Sequence, residues 1–87
     1  MSVWKVRLHP HALLRIRERG ATKDEVIYTV RHGKRSAAAF GRALFTHRFA
    51  YNRKWHGRLY RFKVVEAFAV EEKANEWLVV TVVTKYF

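Results

Sequence analysis

The chain contains no cysteine and a single proline, Pro10. Without cysteine, neither disulfides nor thiolate metal sites are available, and the composition fits a reducing compartment. Acidic residues are scarce: 7 Asp plus Glu stand against 18 Lys plus Arg, for a formal net charge of +11. No apolar run is long enough to span a bilayer, and the opening MSVWKVRLHP lacks the apolar core of a signal peptide. The expected setting is cytoplasmic. No repeat, linker or low-complexity tract divides the 87 residues, so one domain covering residues 1–87 is expected.

What is present argues against a disordered basic tail, because 49% of the chain is hydrophobic and 15% aromatic. The positive charge is also unevenly placed. Between Val26 and Val65 there is no acidic residue, while Arg31, Lys34, Arg35, Arg42, Arg48, Arg53, Lys54, Arg58, Arg61 and Lys63 all fall there. Such a block suits a polyanion, of which nucleic acid is the commonest, or an acidic protein partner.

Local patterns order the chain as β-α-α-β-β-β. Val3 to Leu8 alternates apolar and basic residues, as a half-buried strand does. Pro10 suits the first turn of a helix ending near Arg19, with Gly20 free to take a positive φ. On that helix Ala12, Leu13 and Ile16 share one side, and His11, Arg15, Glu18 and Arg19 the other. Thr22-Lys23-Asp24-Glu25 reads as a capping box opening a second helix that Gly33 closes. The stretch from Lys34 to Gly41 carries no periodicity and its structure is left open. Strands are expected over Leu44 to Arg53, Leu59 to Val70 and Trp77 to Tyr86, with turns at Lys54 to Gly57 and Glu71 to Glu76.

The expected fold is therefore α+β, with two helices packed on one face of a mainly antiparallel four-stranded sheet. If Phe62 and Val64 face the helices, Leu78, Val80 and Val82 match them on the last strand. Arg61, Lys63, Thr81 and Lys85 then lie on the helix-free face. A one-residue slip in register would reverse part of this.

The pattern His11-Ala12-x-x-Arg15-x-x-x-Arg19-Gly20, the capped helix at Thr22 to Val26, the aromatic-basic strand at Gly57 to Phe62 and the closing Leu78 to Val82 occur in this order. Together they resemble a family of uncharacterised prokaryotic domains near the BrnT toxins, within the RelE/ParE-like toxin superfamily. The resemblance covers essentially the whole chain. It implies a RelE-like fold and, for many relatives, metal-independent endoribonuclease activity that blocks translation and is held in check by a cognate antitoxin. The implied partners are RNA, in some relatives on the ribosome, and that antitoxin, with no membrane. The superfamily also holds gyrase inhibitors and members without known activity, so fold alone does not give function.

Cleavage of RNA without a metal needs a base for the 2′-hydroxyl, positive charge for the phosphorane and an acid for the leaving oxygen. His11 can act as base or acid, and Arg15, one turn later, can hold a phosphate. Arg61 and Lys85 add charge, and Tyr86 can donate a hydrogen bond or stack on a base. The bland alternative for His11 is a hydrogen bond that orders the strand–helix junction. The nucleic-acid contacts expected besides these are Arg19, Arg48, Lys54, Trp55, Arg58 and Lys63. No cofactor is expected. His9 and His11 could chelate a metal in principle, but no carboxylate set accompanies them, so no metal site is assigned.

Overall fold

The structure, a computed structural model, describes residues 4–87. Its elements are β1 (Lys5–Leu8), α1 (Pro10–Arg19), α2 (Lys23–His32), β2 (Lys34–Ala37), β3 (Ala43–Trp55), β4 (Arg58–Lys73) and β5 (Glu76–Tyr86). A short 3-10 turn, Ala39–Gly41, links β2 to β3. Val3, expected to open the first strand, lies outside the described residues.

The helical unit follows local chemistry closely. The His9 ring caps α1, with its Nδ1 accepting from the His11 N–H at 3.1 Å. Gly20 ends the helix at φ 75°, and its N–H returns to the Ile16 carbonyl. Both halves of the capping box form at α2: Glu25 N–H donates to Thr22 Oγ1 at 3.1 Å, and Thr22 N–H donates to Glu25 Oε1 at 2.9 Å.

The sheet departs from expectation in two ways. It has five strands in the order β1-β5-β4-β3-β2 rather than four, because Lys34–Ala37 pairs antiparallel with Ala43–Thr46. It is also mixed, since β1 runs parallel to β5, with Lys5 opposite Glu76 and Leu8 opposite Val79. The α+β class and the helical layer over one face hold.

The register is the second correction. Lys63, Val65, Ala67 and Ala69 of β4 are buried under the helices, so Phe62, Val64, Phe68 and Val70 occupy the helix-free face. Between Val64 and Val70 both parities of this strand carry apolar residues, Glu66 being the exception, and small residues win the helical side because Ala67 and Ala69 let the helices approach closely. Glu66 must reach solvent, which fixes the even-numbered residues outward. On β5 an extra residue at Val80 shifts the alternation, because Phe68 pairs with Thr81 but Ala69 with Val79. Trp77, Val79 and Val82 are buried as a result, and Leu78 and Val80 are not. The core joins these side chains to Ala12, Ile16, Val26, Val30, Phe45 and Val65.

Lys63 is thus not an exposed contact residue. It is 4% exposed, and its Nζ donates to Glu25 Oε1 at 2.8 Å and to the Gly20 carbonyl at 3.0 Å. Removing one member of a buried pair leaves the other desolvated without its partner. Lys63→Met should therefore cost about 2 kcal/mol in urea denaturation, with Glu25 being only partly buried. Lys63→Met combined with Glu25→Gln should cost less than the sum of the single changes, which a double-mutant cycle measures.

Candidate nucleic-acid interface

The structure distributes the expected catalytic residues over different parts of the molecule. His11 and Arg15 stand together on the outer side of α1, where Arg15 Nε donates to His11 Nε2 at 3.3 Å. Arg15 Nη1 also pairs with Glu18 Oε2 at 2.8 Å. Nε2 is the acceptor in this contact, so its lone pair is engaged by Arg15. Lys85 lies on the opposite face of the sheet, paired with Glu66 at 3.3 Å. Arg61 is exposed near the start of β4, where its N–H donates to the Phe87 carbonyl at 2.8 Å.

Tyr86 and Trp55 are structural. The Tyr86 hydroxyl donates to the Arg19 carbonyl at 2.7 Å, and Thr84 Oγ1 donates to the same oxygen at 2.8 Å. These bonds satisfy a carbonyl at the open end of α1. The Tyr86 ring stacks on Trp55 at 5.1 Å and 13°, with Tyr51 edge-on to it and Tyr60 tilted against it. Gly20 packs directly on this cluster. A Cβ there would lie 2.5 Å from both Trp55 Cζ3 and the Tyr86 hydroxyl. The position therefore needs glycine for space as well as for its dihedral. The Arg19 guanidinium donates to the Val82 carbonyl, tying the helix end to β5.

The remaining expected contacts are open. Arg48 is exposed on the helix-free face with its guanidinium 4.6 Å from the Phe62 ring centre. Lys54 and Arg58 are exposed beside the tight β3–β4 turn formed by His56 and Gly57, both at positive φ. Apart from Lys63, no basic residue of the acid-free block forms an ion pair among the described residues. Beyond Thr46, β3 has no strand on its outer side, so β2, the free edge of β3 and the β3–β4 turn make one basic border. Among the described residues, no three His, Asp or Glu side chains gather as a metal site.

Sequence reasoning missed one concavity. A groove of about 560 Å³ is bounded by Arg35, Ser36, Arg42, Glu71 and Trp77, together with backbone around Gly41. Phe40, on the 3-10 turn beside it, is 90% exposed and sits at φ 62°. The signal available was a phenylalanine next to glycine and arginine in a stretch without periodicity. His47, read as structural, packs 5.0 Å from Tyr28 and 4.7 Å from Phe49.

No family model, curated protein or solved structure matches the chain.

Burial first, and then the neighbouring Tyr51 and Glu25, push the Tyr86 phenol above its ordinary value, against an opposing Thr84 hydrogen bond. The neutral phenol therefore stabilises the fold fully below the ordinary tyrosine pKa, and this contribution is lost as pH rises through the raised one. Tyr86→Phe should cost about 1 kcal/mol at neutral pH and flatten the alkaline fall in stability, read by urea denaturation between pH 8 and 11, a window set to bracket the ordinary tyrosine value of about 10.

Proposed function

We propose that the protein binds single-stranded RNA along its basic border and serves as the toxin component of a toxin–antitoxin pair. The observation that carries the binding reading is the unpaired charge. Apart from Lys63, the cations of the acid-free block have no carboxylate partner among the described residues, so their field is available to a polyanion. RNA is preferred to an acidic protein because the cations accompany an exposed aromatic, and single strands are held by stacking as well as charge.

The resemblance to the RelE/ParE-like toxins adds cleavage to this reading, with the His11–Arg15 pair on α1, over β5 and β1 rather than on the border itself, as its candidate centre. In such a reaction Arg15 turns from His11 Nε2 to the phosphate, His11 takes the proton of a ribose 2′-hydroxyl with the nitrogen so freed, the oxygen attacks the adjacent phosphate, and Arg15 stabilises the charge on the phosphorane. A solvent-borne proton then goes to the departing 5′-oxygen. One observation favours a second reading, a binding module without cleavage: Lys85 is on the other face and the Tyr86 hydroxyl is engaged with α1. A cognate antitoxin would be acidic, to match the charge. It would have an apolar surface to offer the helix-free side chains Phe62, Val64, Phe68 and Val70.

Retention of a labelled single-stranded RNA should weaken steeply with salt, by about 0.7 in log–log slope per phosphate contact. Salt-insensitive binding, or none, contradicts the proposal. RNA integrity during incubation separates the two readings. His11→Ala and Arg15→Ala should abolish cleavage while leaving the affinity within a few-fold, whereas intact RNA in the wild-type reaction identifies the binding module.

A further inference from the structure

The groove beside the 3-10 turn combines features that core packing does not account for. Trp77 forms part of its wall and is 2% exposed, yet its indole Nε1–H is a buried donor without a hydrogen-bond partner among the described residues. Buried donors of this kind are uncommon and call for a specific reason. The Arg35 guanidinium lies 4.8 Å from the Trp77 ring centre and 5.9 Å from that of Phe45. Stacking of this kind fixes the plane of a guanidinium and leaves its N–H edge free for an anion. Neither Arg35 nor Arg42 has a carboxylate partner among the described residues.

Phe40 adds a second, independent observation. A phenylalanine in the left-handed region costs roughly 1–2 kcal/mol, and one that is 90% exposed recovers almost nothing through burial. The Arg42 guanidinium sits 5.9 Å from its ring centre, so an open aromatic face and a cation are side by side. Glu71 also lines the groove, its carboxylate accepting from the Asn75 N–H at 3.3 Å. A negative group there directs phosphate toward the arginines and accepts only from a donor such as a base amino group.

We propose that this groove is a nucleotide subsite for single-stranded RNA, with a base stacked on Phe40 and its phosphate held between Arg35 and Arg42. The proposal rests on the RNA-binding reading and adds a place and a register to it. Base stacking supplies affinity without sequence preference, and the two arginines fix where the backbone passes.

The test is fluorescence anisotropy with a labelled ten-nucleotide single-stranded RNA, titrated across salt concentrations. Phe40→Ala should weaken binding on the order of tenfold, the effect of losing one stacked base. Arg35→Gln with Arg42→Gln should lower the log–log salt slope by about 0.7, one single-strand phosphate contact, and either change alone by less. Circular dichroism checks that each variant is folded. In the wild type the indole N–H resonance of Trp77 should shift when uridine 5′-monophosphate is added, and in Phe40→Ala it should shift less. If wild-type protein binds the RNA and the variants bind it equally well, with the Trp77 resonance unmoved, the subsite is refuted while RNA binding stands. If wild-type protein does not bind the RNA even at low salt, both readings fall together.

Discussion

A lysine ammonium held between a carboxylate and a helix-terminal carbonyl joins the two layers of this protein. Lys63 reaches from the sheet to Glu25 and to the Gly20 carbonyl, at the place where α1 ends and α2 begins. Glu25 is already fixed by the capping box, so the lysine meets a carboxylate whose position α2 has set. The Gly20 carbonyl is fixed in turn by a left-handed turn packed on Trp55 and Tyr86. Without this arrangement, a buried charge would oppose the docking of helices on sheet. With it, the helix–helix junction has one seat on the sheet.

This node explains which parts of the fold could be read from the sequence. The Gly20 stop and the Thr22–Glu25 capping box are local devices, and their residues announce them at fixed spacing. The register of β4 is not local. Val64 to Val70 offers apolar side chains on both faces, so size and long-range pairing decide, and a lysine on the buried side looks wrong until its partner is found. β2 was illegible for another reason. Lys34–Ala37 is four exposed residues, and only its bonds to β3 make it a strand. The candidate site shows the same division. His11 and Arg15 are one helical turn apart and meet as their spacing implies, whereas Tyr86, Lys85 and Arg61 depended on the register. The groove beside Phe40 joins four strands and a turn, which no single stretch of sequence displays.

Charge follows the architecture. The two border strands, β1 and β2, are short and carry Lys5, Arg7, Lys34 and Arg35, which discourages another strand from adding to either side. Arg7 is paired with Glu72, while Lys34 and Arg35 are unpaired among the described residues. The β2 border can therefore meet a polyanion with the same residues that keep it from pairing with a second sheet.

The parallel seam between β1 and β5 governs when this fold can exist. Lys5 hydrogen-bonds Asn75 and aligns with Glu76, near the far end of the chain. A parallel pair cannot close through a hairpin, so the first strand synthesised has no sheet to join until nearly the last one has been made. On a translating ribosome the β3–β4 hairpin can form early, whereas β1 must wait. Closure across so many residues is also slow compared with helix or hairpin formation. The nascent chain therefore passes through an interval in which its basic segments are present but its layers are not yet joined.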